Sequence, residues 1–539
     1  TCTCTCRADI GPETRSGPGC GTEALFPSTR SRSPGPGPEI MGGLETEVNS
    51  RTYMTVPQPT PEDLKERAAI DRSARYPVMF FFTSAAAWLF FATVMGFVSS
   101  LKLRVPGLWE ECPFMGYGRL FPVHFNALVY GWAMQAGIGV MLWLMARLTR
   151  SRIEHPTAVI VSGHIWNAGV ALAILAIWFG GSRSIPLLDF PGWLWPVLAS
   201  AYALTVVWLV PMCLGRRNAL FYISELYLIG AAVWFPWIFL TANFLVNAGS
   251  APVMGAGADV WYLSNLIYFW MAPVALAVAY YIIPKISGRP IYSYPLAQVS
   301  FWILAVLAGW TGFSRFMGGP FPAWMPAVSS AATIFILIAV AATVANLLLT
   351  LRGCTKLWEF SPSLRFTVLG MLMLAVYAVL SAMNSTFLFG GNLQFTHFVA
   401  GLDMLAFYGF FSMTMFGAFY FIVPRITGAE WPSGARIRTH FWFSTYGIVT
   451  MVVATLVGGI AQGGDLAVWN REFSISFTNS SAYIAGRCIA WALISWSNLV
   501  FLHQLALMFL GKGRKSAGPT LIHSEPGESP NARAAAGIS

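Results

Sequence analysis

Long apolar segments follow one another along most of the chain, and each is close to the roughly 20 residues that a helix needs to cross a bilayer. Twelve such segments lie near residues 77–100, 121–147, 158–180, 192–213, 222–247, 260–284, 296–317, 328–351, 365–387, 396–423, 439–461 and 483–511. Several begin or end at Pro, Gly or Arg, as helices commonly do. The pattern predicts an all-α polytopic membrane protein with a twelve-helix domain over residues 77–515.

The two ends of the chain lack this pattern. Residues 1–40 are rich in Gly, Pro, Ser and Arg, a composition that cannot form a core, and they contain no apolar stretch of a signal peptide. We expect residues 1–76 to be a disordered or cytoplasmic segment, with 1–40 reflecting a start codon placed too early and Met41 or Met54 as the start. Residues 516–539 are expected to be a disordered tail.

Basic residues are concentrated on one side of the predicted spans, with fewer in the odd-numbered loops. They are Lys65, Arg67, Arg72 and Arg75 before the first span, Arg147, Arg150, Arg152, Arg216, Arg217, Lys285, Arg289, Arg352, Lys356, Arg425, Arg436 and Arg438 in the even-numbered loops, and Lys512, Arg514 and Lys515 after the last. Because cytoplasmic loops carry the excess of Lys and Arg, both termini are predicted to be cytoplasmic.

Composition agrees with a membrane protein. Only 10% of the residues are charged, whereas soluble proteins carry roughly 25%. The net charge of +10 comes from the loops, so it indicates contact with anionic membrane lipid and not nucleic-acid binding. The eight cysteines have no CxxC or zinc-type spacing, so neither a disulfide framework nor a cysteine metal site is predicted.

Four stretches carry a family resemblance: GRLFPVHFNALVYGW (118–132), WYLSN (261–265), IIPKISGRPIYSYPLAQVSFWILAVLAGWTGFSRF (282–316) and LQFTHFVAGLDMLAFYGFFSMTMFGAFYFIVPRITG (393–428). Together they resemble subunit I of the heme-copper oxidase superfamily, most closely the C-family (cbb-type) cytochrome c oxidases, over about 75–515. The resemblance implies a bacterial inner (cytoplasmic) membrane, aerobic respiratory electron transport, and membrane-bound c-type cytochrome subunits or another respiratory subunit as partners. This chain has no CxxCH motif, so a c-type heme must come from a partner.

In that family a His on helix 2 and a His on helix 10 hold a low-spin heme, and a second His on helix 10 holds a high-spin heme. One His on helix 6 and two on helix 7 hold a copper. In this chain Ser264, Ser314 and Arg315 occupy the three copper positions, Leu402 the high-spin position, and Ala308 the position of the family's tyrosine. A guanidinium also repels a metal cation. Five substitutions therefore predict that the dioxygen-reducing binuclear centre is degenerate.

The low-spin position differs, because His124 keeps the helix 2 ligand and Met404 replaces its partner on helix 10. Thioether and imidazole together ligate iron in cytochromes c. Two interpretations stay open: His124 and Met404 hold one b-type heme, or Met404 is packing and His124 a hydrogen-bonded core residue. Counting back without gaps from Val423-Pro424-Arg425 places His397 outside the ligand positions that the resemblance implies.

Other polar residues in the spans have plainer explanations. Arg315 could pair with Asp403 in place of the copper charge, but we favour an Arg315 that snorkels to the outer interface at the end of helix 7. His440 should meet water or lipid headgroups at the start of helix 11, and His164 and His503 should be structural.

Three functions follow as hypotheses. The first is a cytochrome c oxidase subunit I-like protein of a respiratory electron-transfer complex, without the binuclear centre, binding at most one low-spin heme and no copper. The second is an active cbb-type cytochrome c oxidase catalytic subunit, an oxidoreductase that couples dioxygen reduction to proton translocation. The third is a heme-free transporter or assembly factor, although the matched broken helices typical of transporters are not evident.

Overall fold

The computed structural model describes residues 60–216, 221–248, 252–468, 471–515 and 519–521. Within these ranges the chain is helical and has no strand, and twelve helices are long and apolar enough to cross a membrane. They are α1 (Pro61–Arg104), α2 (Tyr117–Thr149), α3 (Pro156–Trp178), α4 (Trp195–Leu214), α5 (Ile223–Asn247), α6 (Pro252–Ser287), α7 (Tyr294–Phe316), α8 (Trp324–Thr350), α9 (Pro362–Asn384), α10 (His397–Thr427), α11 (Gly434–Leu466) and α12 (Ser481–Phe509). The predicted all-α architecture with twelve spans is confirmed. The expectations for residues 1–59 and for most of the C-terminal tail fall outside the described residues.

Two helices begin eight or more residues before their predicted starts. α1 starts at Pro61 and not near residue 77, so residues 61–76 of the segment expected to be disordered or cytoplasmic are helical and not disordered. Its start is a capping box, in which the Thr60 side chain accepts a hydrogen bond from the Asp63 backbone N–H and the Asp63 carboxylate accepts one from the Thr60 backbone N–H. The helix then runs through Pro77, which removes one hydrogen bond without ending it. α6 starts at Pro252, eight residues before the predicted position near 260.

Three helices form the centre of the bundle. In α2, α6 and α10 the most apolar window is 94–100% buried, while in the other nine spans it is 33–56% buried. A helix that is apolar all round and fully enclosed by protein is a core element, not a lipid-facing one. The other nine helices surround this trio, and α12 packs against both α1, which lies beside α2, and α11, which lies beside α10.

The three central helices share two local features. Each contains a π-helical segment, Ala127–Ala133 in α2, Ile267–Met271 in α6 and Leu405–Ser412 in α10. Each also ends on a left-handed residue after a basic one, in the strings ARLTR (146–150), PKISG (284–288) and PRITG (424–428). The π segments begin three residues after positions 124, 264 and 402. In the family that the motifs resemble, these three positions carry metal-binding histidines, so they have the same spacing from the π segment in all three helices.

The outer end of α7 is not a regular helix. Its α-helical part is Tyr294–Leu307, followed by 3₁₀ turns at Ala308–Trp310 and Phe313–Phe316. Gly312 separates the two turns with φ +106°, and a Cβ there would lie 2.6 Å from the carbonyl oxygen of Val260 on α6. Only glycine fits both the dihedral and the contact. The break moves the last turn of α7 out of helical register and carries Arg315 with it.

Candidate functional site

His124 is held rigidly inside the bundle. It is fully buried on α2, and its Nδ1 lies 2.7 Å from the carbonyl oxygen of Ala92 on α1. Because a carbonyl only accepts hydrogen bonds, Nδ1 carries the proton and Nε2 is left as a free acceptor. The ring packs edge-to-face against Trp491 of α12, with centroids 4.7 Å apart. Gly96 makes room for it, since a Cβ there would lie 3.0 Å from the imidazole.

The free Nε2 of His124 has no hydrogen-bond partner among the described residues, although it is buried. His124 of α2 and Met404 of α10 both line one cavity of about 160 Å³. The Met404 side chain is buried, with 7% of its surface exposed. A histidine that donates from one nitrogen to a backbone carbonyl and leaves the other free is oriented as metal-ligating histidines are. The structure therefore brings the two predicted iron donors to one place.

Four charged residues line this cavity as well: Asp259, Arg315, Asp403 and Arg487. Arg315 Nη2 lies 2.5 Å and Nη1 3.3 Å from the two carboxylate oxygens of Asp403. The two side chains are 18% and 13% exposed. Our preferred expectation for Arg315 was therefore wrong: it does not snorkel to the interface but turns inward, because the 3₁₀ turn after Gly312 directs it towards α10.

Asp259 was not expected at the site, whereas Arg487 near the start of α12 was a candidate partner of a heme propionate, and it is 6% exposed. The Arg487 guanidinium lies 5.7 Å from the ring centroid of Phe121, and within the described part of the chain no hydrogen bond reaches Asp259 Oδ1. Sequence reasoning missed Asp259 because the predicted start of α6 fell one residue after it. A carboxylate inside an apolar span is the signal that would have found it.

The predicted copper positions hold engaged or unsuitable groups. Ser264 Oγ donates to Thr311 Oγ1 at 2.8 Å, and the backbone N–H of Ser314 donates to Ser329 Oγ at 3.0 Å. Leu402 at the high-spin position is 3% exposed and Ala308 is fully buried. Among the described residues no three His, Cys, Asp or Glu side chains come together in a way that could hold a metal ion.

Two other histidines lie away from the cavity. The backbone N–H of His397 donates to Gln462 Oε1 at the first turn of α10, and His397 does not line the cavity that Met404 lines. His440 corrects an expectation, because it is fully buried and not in contact with water or headgroups. Its Nδ1 lies 2.8 Å from the Tyr420 hydroxyl, and its ring stacks on Phe501 at 4.8 Å.

The loop between α3 and α4 folds back onto the bundle beside the site. Pro186 lines the cavity, and the Tyr130 hydroxyl donates to the carbonyl of Leu187 at 2.6 Å. Asp189 is 2% exposed and accepts a hydrogen bond from Asn126 Nδ2 at 2.9 Å. Burial raises the pKa of Asp189, since the hydrogen bonds do not offset the loss of solvation.

The donor set fits a low-spin heme and not a copper. His124 Nε2 is an orphaned buried nitrogen, Met404 supplies a thioether, and Arg487 is a buried cation of the kind that could face a carboxylate of the macrocycle. Pockets for cofactor-sized ligands are roughly 300–1,000 Å³, so the walls of the 160 Å³ cavity would have to separate to admit a porphyrin. Copper prefers imidazole or sulfur donors, and the three copper positions provide two hydroxyls and a guanidinium.

These features define the class of protein as an integral membrane helix bundle with an enclosed cavity that His124 and Met404 line together with four charged residues. A profile of the family described as Cytochrome C and Quinol oxidase polypeptide I matches residues 76–504. The chain therefore belongs to this family, as the resemblance of its motifs predicted.

Individual relatives agree with the C-type resemblance. The chain is 25% identical over 383 residues to the Cbb3-type cytochrome c oxidase subunit CcoN1 of Stutzerimonas stutzeri, covering 68% of this chain and 80% of that protein. It is 23% identical over 489 residues to a cytochrome c oxidase subunit 1 homolog of Agrobacterium tumefaciens, covering 84% and 87%. A heme-copper terminal oxidase dimer solved by cryo-electron microscopy shares the fold, with TM-score 0.66, 14% identity and coverage of 84% and 88%.

Proposed function

We propose that this chain is an electron-transfer subunit of a respiratory membrane complex that binds one low-spin b-type heme through His124 and Met404 and has no binuclear centre. The observation that carries the proposal is the contrast inside one bundle. His124 keeps a nitrogen without a partner among the described residues, and it lines the same cavity as Met404. The three copper positions instead hold two hydroxyl side chains and a guanidinium bound to a carboxylate.

The residues of this chain would do four things. His124, fixed by the Ala92 carbonyl, presents Nε2 without a search through rotamers or tautomers. Met404 would supply a weaker donor to the iron than histidine, and such a donor would raise the reduction potential relative to a bis-histidine site. Arg487 offers a buried cation to an acidic group, and the surrounding apolar side chains exclude water. A bound low-spin heme supplies one-electron transfer.

We further propose the setting of this subunit. Relatives include a protein whose name makes it a subunit of a cbb3-type oxidase, so membrane-bound c-type cytochrome subunits or another respiratory subunit are the proposed partners. The basic residues concentrated on one side of the spans support cytoplasmic termini, and the bacterial relatives support a bacterial inner membrane as the proposed location.

Two alternatives remain as outcomes of the test. Family membership favours an active cytochrome c oxidase, which would need two hemes and a copper. The narrow cavity favours a heme-free protein that reuses the fold for transport or assembly.

The test is the heme and metal content of the purified chain, combined with a reduced-minus-oxidised spectrum and its response to carbon monoxide. One b-type heme, no copper and no carbon monoxide shift are expected, because a six-coordinate iron leaves no open position. Two hemes with copper would overturn the proposal in favour of an oxidase, and no heme would overturn it in favour of the heme-free alternative.

A further inference from the structure

The ion pair of Arg315 and Asp403 joins two helices at a place where the chain is otherwise irregular. Arg315 stands on the 3₁₀ turn Phe313–Phe316 of α7, and Asp403 is the residue directly before Met404 on α10. Both carboxylate oxygens are engaged, at 2.5 and 3.3 Å, so the contact is bidentate. A bidentate guanidinium–carboxylate pair fixes orientation as well as distance.

The pair is not explained by stability. Removing two charges from water costs several kcal/mol, and well-packed apolar residues of similar volume are often as stable or more so. Buried ion pairs are instead well attested as devices that fix one arrangement among several. Here the arrangement is the rotation of α10 beside the cavity, since Asp403 and Met404 are neighbours and both line it.

The pair also leaves a defined charge pattern around the cavity. Arg315 and Asp403 neutralise each other, while Asp259 and Arg487 line the same cavity from α6 and α12. Cavity charges interact strongly because little water screens them. Loss of either member of the pair would therefore change the net charge beside His124 by one unit, with opposite sign for the two members.

We propose that Arg315 is a positioning residue for the heme site: by binding Asp403 it fixes the rotation of α10, holds Met404 facing His124, and balances the charge that Asp403 brings to the cavity. The inference rests on the proposed function. It assigns Arg315, which stands at a copper-ligand position in the resemblance, a role at the neighbouring low-spin site. Arg315 touches no donor atom itself and acts through Asp403.

The experiment compares the unmodified chain with Arg315→Gln, Asp403→Asn, the double variant and Arg315→Lys. The readouts are the near-infrared charge-transfer band of thioether-ligated ferric heme, the reduction potential and the thermal unfolding midpoint. Arg365→Gln is the matched control. Arg365 is also buried, but its guanidinium donates to the carbonyls of Trp358 and Glu359 away from the cavity.

We expect Arg315→Gln to lose the thioether band in a large fraction of the heme and to lower the reduction potential, because an unpaired carboxylate favours the oxidised iron. Asp403→Asn also breaks the pair and should lose thioether band as well, but its potential should lie above that of Arg315→Gln, because an unpaired guanidinium favours the reduced iron. The double variant, which carries neither charge, should have a potential between those of the two single variants. Arg315→Lys should keep the charge and restore the potential more than the thioether band, since lysine cannot bind a carboxylate in the bidentate geometry.

A purely structural pair would lower the unfolding midpoint in both single variants without a loss of the thioether band and without a difference in potential between them. That result, or an Arg315→Gln variant with an unchanged band and potential, overturns the inference while leaving the proposed function intact. Equal spectral effects from Arg365→Gln would also overturn it, since the change would then be general loosening. Absence of heme from the unmodified chain overturns the inference together with the proposed function.

Discussion

His124 on α2 and Ser264 on α6 stand at equivalent points of two equivalent helices, yet they have opposite surroundings. Each lies three residues before a π-helical segment in a fully or nearly fully buried span. His124 keeps a nitrogen with no protein partner, whereas the Ser264 hydroxyl is satisfied by Thr311 on α7. His124 therefore has a nitrogen available for a further bond, whereas the Ser264 hydroxyl already has its partner.

The comparison shows that the scaffold does not depend on the donors it carries. A π-helical segment follows Ser264 on α6 and Leu402 on α10, just as one follows His124 on α2. Neither Ser264 nor Leu402 has an imidazole side chain. Apolar burial and backbone geometry hold these helices whether or not the residue at this position is a histidine. A π segment near a functional position therefore marks where a site can be built, not that one exists.

The largest effect is expected from a substitution at His124. Replacing His124 by Leu is expected to abolish the b-type heme spectrum, because Nε2 is the one strong iron donor lining the cavity in the described part of the chain. His397→Gln is the matched control: His397 lies on α10 but does not line that cavity, and its variant should retain the full spectrum. Reduced-minus-oxidised difference spectra per mole of purified protein measure both. A spectrum lost from His397→Gln and kept in His124→Leu would reverse the assignment of the donors.

A smaller effect is expected at Gly96 of α1, which lies directly against the His124 ring. A methyl group there would lie 2.9 Å from the Trp491 ring and 3.0 Å from His124, so Gly96→Ala must displace one of them. We expect a loss of about 1–3 kcal/mol in unfolding free energy, together with weaker heme retention. Gly118→Ala on α2 is the control, because no atom lies within 4 Å of its added Cβ. Equal midpoints for the two variants in thermal unfolding would show that the wall of the His124 site is not tightly packed.

Much of the fold was predictable from periodicity, because a span needs little more than length and apolarity. The count of twelve helices was therefore confirmed, while the start of α1 was wrong by sixteen residues. Residues 61–76 are polar and amphipathic, so no apolar signal marks them, and only the capping box at Thr60 and Asp63 shows where the helix begins. The break at Gly312 was also missed, since its cause is a contact with the backbone of α6.

The site was predictable only where a motif carried it. His124 and Met404 follow from two motif positions, and the structure places both on one cavity. The inward turn of Arg315 depends on the unwound end of α7, and Asp259 and Arg487 arrive from helices distant in sequence. His440 was assigned to the interface from its place near a helix start, but neighbouring aromatic rings from α9, α10 and α12 bury it.

The smallest effect is expected at Ser264, the other residue of the comparison. Ser264→Ala removes one neutral hydrogen bond to Thr311, whose hydroxyl still donates to the carbonyl of Ala308 at 2.7 Å. We expect a loss of about 0.5–1.5 kcal/mol in unfolding free energy, with no change in heme content, metal content or reduction potential. Thermal unfolding and difference spectra on the same preparation separate the two quantities. A spectral or metal change from so conservative a substitution would mean that the Ser264 hydroxyl has a ligand besides Thr311. In that case both α2 and α6 would bind a ligand, and they would differ only in the identity of that ligand.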